Sequence, residues 1–211
     1  SLDKIGPIGK TVFDVALMLS VISGKDKRDF TTVEKGKADY KKNVRDDSDL
    51  RRTKIAVPKE YTSNIDKNVE GVFWEAVAKM EKMGVAYKEV SLPTTQYALA
   101  AYYIIATCEA STNLARYCGI RYGLHKELAG NFNEYFSAVR TEGFGDEAKR
   151  RIMLGTFARM SGYRDQYYLK AMKVRTLIIN DFKKIFKNYD AIAAPTMPVI
   201  APKFTDIKKL T

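Results

Sequence analysis

Residues 54–90 read KIAVPKEYTSNIDKNVEGVFWEAVAKMEKMGVAYKEV, and this stretch decides the fold class. Lys54-Ile55-Ala56-Val57 is a short apolar run stopped by Pro58, which is the pattern of a buried strand. Val69, Val72, Phe73, Ala76, Val77 and Met80 recur at i, i+3, i+4, i+7, i+8 and i+11. That spacing predicts an amphipathic helix with one apolar face. Gly84 ends it, and Val85 to Val90 predicts a second strand with Pro93 beyond. Strand, helix and strand in under forty residues form a βαβ unit, which implies a parallel pair and a right-handed crossover.

Upstream, Thr11-Val12-Phe13-Asp14 has the form of a capping box, with Asp in the place of the usual Glu. A helix is expected through Ile22, stopped at Gly24 by a left-handed cap. Residues 25–52 are rich in Lys, Arg and Asp and predict an irregular surface crossing. Downstream of Gln96 the texture becomes helical. Tyr97–Arg116, Asn131–Arg140, Glu147–Phe157 and a long Ser161–Phe186 are predicted helices, with Gly143 and Gly145 as punctuation. Tyr189–Ala194 predicts a third strand ended by Pro195. The class is therefore α/β, with a large helical block at about 95–187 between α/β flanks. The tail after Pro198, with Pro202 and the pair Lys208-Lys209, reads as loosely held.

Composition narrows the function classes. The chain of 211 residues is 45% hydrophobic, enough for a substantial core, yet no apolar run is long enough for a membrane span. One histidine, His125, excludes a His-based metal cluster and reads as a surface residue. Cys108 and Cys118 match no zinc spacing, make no disulfide framework and fit a reduced, cytoplasmic compartment. The net charge is +11, and residues 168–211 hold nine basic against three acidic side chains. Such a balance favours contact with polyanions. No Gly-rich phosphate loop, no G-x-S-x-G elbow and no metal-ligand cluster is present.

Three segments stand out for mixing small residues, aromatics and Arg at inward-facing positions. The first is Ala101 to Arg116, followed by Gly119-Ile120-Arg121-Tyr122-Gly123. The second is Glu142-Gly143-Phe144-Gly145-Asp146-Glu147-Ala148-Lys149-Arg150-Arg151-Ile152-Met153-Leu154-Gly155-Thr156-Phe157. The third is Ser161-Gly162-Tyr163-Arg164-Asp165-Gln166-Tyr167-Tyr168. An Arg there can clamp a carboxylate bidentately, and a Tyr hydroxyl can complete a small polar pocket. Read without any family, they are first helix-packing seams with surface arginines, and a pocket only second.

The opening Ser1-Leu2-Asp3-Lys4-Ile5-Gly6-Pro7-Ile8-Gly9-Lys10-Thr11-Val12 resembles the amidase signature family just after its catalytic core. The three segments are similar to the A subunits of tRNA-dependent amidotransferases within that family. The resemblance covers Ser1 to about Pro198 and departs at Lys10, where Arg is usual, and at Cys118, where Asp is common. It implies a mixed sheet layered by helices, with residues 1–211 as one partial amidase domain. It implies glutamine hydrolysis by a Ser–cis-Ser–Lys triad, whose Lys and two Ser are expected upstream of Ser1, so no catalytic residue is assigned here. Glutamine binding is carried over onto Tyr102 and Arg151, with an Asp expected past Thr211. No cofactor is implied for this polypeptide. ATP and Mg²⁺ belong to a partner B subunit, and the implied partners are subunits B and C and the mischarged tRNA reached through the complex. The alternatives are an amidase acting on a non-tRNA substrate and a basic RNA-binding module.

Overall fold

The computed structural model describes residues 4–34, 39–44, 50–127 and 129–205. The chain divides into two compact units, Ser1–Asp49 and Leu50–Thr211. Residues 1–3 of the opening motif and the pair Lys208-Lys209 lie outside the described residues.

In the first unit, α1 (Val12–Ile22) begins at a complete capping box. Thr11 Oγ1 accepts the Asp14 N–H at 3.1 Å and Asp14 Oδ2 accepts the Thr11 N–H at 3.1 Å, so two orphan donors of the first turn are satisfied. The helix ends where Gly24 predicts, but by a different route. Ser23 leaves the helix in an extended conformation, its N–H still bonded to Leu19 O, and Gly24 takes φ +140° rather than the left-handed helical value. Residues 25–52 are not irregular throughout. A short helix, α2 (Tyr40–Val44), is tied to α1 by the Tyr40 N–H, which donates to Ser20 Oγ at 3.1 Å. That bond joins residues twenty apart, which local pattern does not reveal.

The second unit carries the predicted βαβ core. β1 (Lys54–Pro58) pairs in parallel with β2 (Ala86–Val90), Ile55 facing Tyr87 in register. β3 (Ala191–Ile192) pairs in parallel on the other side of β1, giving the order β2-β1-β3. The central strand buries Ile55, Ala56, Val57 and Pro58, as a parallel strand covered on both faces must. After β1 comes a single turn, α3 (Lys59–Thr62), and then α4 (Lys67–Lys82), capped by Asp66, whose side chain accepts the Asn68 N–H at 2.8 Å. Phe73, Trp74 and Met80 of α4 pack on Ile55, Val57 and Val85. Gly84, at φ +94°, turns the chain into β2. The third strand is shorter than Tyr189–Ala194, but its ladder extends past it. The Asp190 and Ala193 N–H groups donate to Lys54 O and Ala56 O at 2.9 and 3.0 Å.

The helical block holds α5 (Ala98–Asn113), α6 (Phe132–Gly143), α7 (Asp146–Arg159) and α8 (Lys170–Ile185). Its core joins Ala101 and Ile105 of α5 to Ala171 of α8. The long helix over Ser161–Phe186 is not continuous. Residues 161–164 form a turn and Asp165–Leu169 a π-helical turn before α8 starts. Tyr163 and Tyr167 cluster there on Phe157 of α7, with ring centroids 4.5 and 5.9 Å away. The wider turn accompanies that aromatic packing, a tertiary contact invisible to helical spacing.

Candidate functional site

The site is built on the close contact of α5 with α7. Gly155 makes it possible: a Cβ there would collide with the Thr107 carbonyl and lie 2.9 Å from Cys108 N. The contact is pinned further along. Cys108 Sγ lies 3.7 Å from Gly155 O, and Arg159 Nη1 donates to Cys108 O at 3.4 Å. Burial pushes the Cys108 thiol above its ordinary range, against a smaller opposite pull from Arg159. One turn before Gly155 stands Arg151, and one turn before Thr107 stand Tyr102 and Tyr103. Contacts thus advance in the same sense along both helices.

The two sequence-predicted residues, Tyr102 and Arg151, stand on the two helices that make this contact, one turn before it on each. Tyr102 and Tyr103 lie within electrostatic range of the Arg151 guanidinium. The two tyrosine rings meet edge to face at 5.5 Å. Both candidate residues are open to solvent, Tyr102 at 51% and the Arg151 side chain at 44%. A guanidinium on a helix face beside two phenols can take a carboxylate through its fork and a further polar group through a hydroxyl.

Glu147 completes the cluster and was not singled out by the motifs, although its spacing from Arg150 and Arg151 is the helical i,i+3 and i,i+4 pattern that brings side chains together. Its Oε1 accepts the Arg151 Nε–H at 2.7 Å, and its Oε2 accepts the Arg150 Nε–H at 2.8 Å. The bonds from Arg151 and Arg150 hold the Glu147 carboxyl below its ordinary range, against a slight opposing effect of burial. The same bond to Glu147 raises Arg151 further above its ordinary value.

The remaining motif residues form a scaffold next door. Gly119 O accepts the Tyr135 hydroxyl at 2.7 Å and His125 Nδ1–H at 2.6 Å, so His125 is exposed yet serves as a tie within its turn. Arg140 Nη1 donates to Leu114 O and Tyr117 O at 3.0 and 3.1 Å, capping the carbonyls after α5. Its guanidinium lies 4.9 Å from the centre of the Phe144 ring. Tyr117, Tyr122, Val139 and Phe144 line a mostly apolar pocket of about 210 Å³ here. Among the described residues no group of three or more His, Cys, Asp or Glu is placed to hold a metal ion, and no helix is long and apolar enough to cross a membrane.

Comparison with known proteins places these features. The sequence profile of the amidase family matches residues 1–211. The chain is 51% identical over 208 residues to the A subunit of glutamyl-tRNA(Gln) amidotransferase from Halothermothrix orenii, spanning 98% of this chain and 43% of that protein. To the protein of the same name from Clostridium botulinum it is 49% identical over 209 residues, 99% of this chain and 43% of that one. The crystal structure of the A subunit of glutamyl-tRNA(Gln) amidotransferase from Thermotoga maritima superposes with a TM-score of 0.70 at 37% identity, over 97% of this chain and 39% of that one. A bacterial aryl acylamidase of the amidase signature enzymes shares the fold, with a TM-score of 0.62 at 21% identity over 94% of this chain and 38% of the other. The chain therefore spans less than half the length of the relatives it matches.

Proposed function

This chain belongs to the amidase family, and from that premise we propose that it forms the glutamine-holding part of the A subunit of a tRNA-dependent amidotransferase. That protein hydrolyses glutamine and passes ammonia to a B subunit, which uses ATP and Mg²⁺ to amidate the mischarged Glu or Asp on tRNA. Both units of the chain then belong to one amidase domain, working in a cytoplasmic complex with subunits B and C. The resemblance assigns the catalytic Lys and two Ser to no position of these 211 residues, and on that reading the chain releases no ammonia from glutamine by itself. Covalent catalysis needs an activated nucleophile with its base in reach.

One observation supports the reading: Tyr102 on α5 and Arg151 on α7 lie within electrostatic range of each other at the contact of the two helices, with the Arg151 side chain 44% exposed. Arg151 takes the α-carboxylate of glutamine by its fork, and the Tyr102 hydroxyl hydrogen-bonds the same substrate. The identity of about half to the A subunits of two glutamyl-tRNA(Gln) amidotransferases over nearly the whole chain supports this reading.

The test is Arg151→Lys in the full-length protein within its complex. Lys keeps the charge and loses the fork, so the amide is misplaced as well as weakly bound. Glutamine-dependent amidation falls by roughly ten- to a hundredfold. Ammonium-dependent amidation, which bypasses the site, holds nearly steady. Equal, small effects with both nitrogen donors would mean that Arg151 is not the clamp. Full hydrolysis of an aryl amide without any tRNA-linked product would favour an amidase with a non-tRNA substrate.

A further inference from the structure

Arg151 ends a long, flexible stem on an exposed helix face, and a carboxylate clamp there needs its fork held in one orientation. Glu147 stands one turn earlier in the first turn of α7, where the helix dipole favours a negative charge. It bonds Arg151 from the side. Oε1 takes the Nε–H at 2.7 Å, and among the described residues the two terminal nitrogens of Arg151 have no hydrogen-bond partner. An end-on carboxylate would occupy those nitrogens and plug the fork. A side-on one leaves both terminal nitrogens free to donate to a second carboxylate.

The other half of Glu147 is anchored as well. Its Oε2 accepts Arg150 Nε–H at 2.8 Å and lies 2.6 Å from Arg150 Nη2, so the carboxylate is itself gripped from the side. Two guanidinium groups on one carboxylate leave the cluster with a net positive charge, still attractive to an anion. Removing the carboxylate would leave two like charges on adjacent residues with nothing between them, free to swing apart. The low carboxyl pKa keeps Glu147 ionised below the ordinary carboxylate range.

We propose that Glu147 is a positioning residue for substrate recognition: through its side-on bond to Arg151 Nε it orients the guanidinium fork toward the glutamine α-carboxylate, with Arg150 as its anchor. The proposal rests on the glutamine reading of Arg151.

The test uses Glu147→Ala, Glu147→Gln, Arg151→Lys and the double variant Glu147→Ala/Arg151→Lys, each in the full-length protein assembled with its partners. Steady-state KM and kcat are measured with glutamine and with ammonium chloride. Glu147→Ala raises the glutamine KM by roughly tenfold, and the ratio of glutamine- to ammonium-dependent rates falls with it. Glu147→Gln, which keeps an acceptor oxygen but loses the charge, gives a smaller rise of about threefold. Because Glu147 acts through Arg151, the double variant is no worse than Arg151→Lys alone. A normal glutamine KM in both Glu147 variants, with Arg151→Lys impaired, overturns the positioning role and leaves the clamp intact. Additive losses in the double variant overturn it too, as do equal losses with both donors in Glu147→Ala and Glu147→Gln. A normal KM in Arg151→Lys instead refutes the glutamine reading itself.

Discussion

Gly155→Ala and Gly71→Ala make the same chemical change inside two helices and are expected to move stability in opposite directions. In α4, Gly71 faces open space, with nothing within 4 Å of an added Cβ. Alanine there removes backbone freedom from the unfolded chain and stabilises by about 0.5–1 kcal/mol. In α7, the added Cβ of Gly155 meets backbone atoms, the Thr107 carbonyl and Cys108 N at 2.9 Å, where ordinary contact begins at 3.4 Å. A backbone cannot rotate out of the way as a side-chain tip can, so α5 and α7 must separate. Overpacking of this kind costs typically about 1–3 kcal/mol, and the helix-propensity gain of up to about 1 kcal/mol offsets only part of it. A net loss of about 1–2 kcal/mol corresponds to a fall in Tm of roughly 2–8 °C for a chain of this size. Urea denaturation followed by far-UV circular dichroism gives the free-energy change of each variant, with the slope expected to stay constant, and a thermal scan gives the Tm. A second consequence is functional. Arg151 and Tyr102 sit one turn from the collision, so spreading the helices separates them and lowers glutamine use in the full-length enzyme more than ammonium use. Gly155→Ala as stabilising as Gly71→Ala would refute the close approach and the site geometry derived from it.

Glu60 accepts the Ser91 hydroxyl at 2.5 Å and the Leu92 N–H at 2.9 Å, tying the turn after β1 to the end of β2. Glu60→Ala strips the fully buried Leu92 of its N–H acceptor and costs about 1–2 kcal/mol in urea denaturation at neutral pH. Burial raises the Glu60 carboxyl, but the bonds from Leu92 and Ser91 outweigh it and hold it below its ordinary value of 4.5. A carboxyl depressed by folding stabilises above its unfolded pKa and loses that contribution as pH falls through its folded one. The difference between parent and Glu60→Ala therefore narrows below pH 4.5, and a constant difference down to complete acid unfolding would refute the assignment. Cys108 is 1% exposed with its thiol raised by burial, whereas Cys118 is partly exposed. A thiol-specific chromogenic reagent at mild alkaline pH is expected to titrate Cys118 first and Cys108 only at the rate of unfolding. Equal rapid labelling of both would contradict the packing of α5 on α7.

The parts of the fold legible in the sequence are those set by neighbours a few residues apart. The βαβ unit was readable because a helix repeats its apolar face every three to four residues and a buried strand reads as a short apolar run. Thr11 and Asp14 announced the start of α1 because a capping box closes within one turn. Asn131 and Glu134 close a second one at the start of α6, in the same manner. Family resemblance, carried by linear motifs, pointed to Tyr102 and Arg151 without showing that their helices pack together.

What the local pattern did not contain is whatever depends on a distant partner. The short α2 hangs on Ser20, the interruption before α8 goes with Tyr163 and Tyr167 packing on Phe157, and β3 ends two residues early although its hydrogen bonds continue. Glycine at 155 likewise reads as a weak spot in a helix until Thr107 is found against it. By itself the sequence determined the βαβ unit, the main helices of the block and the capping box of α1, because those arise from interactions spanning a few residues. Which helices touch, and how closely, were decided by the tertiary structure alone, because those contacts join residues some fifty positions apart.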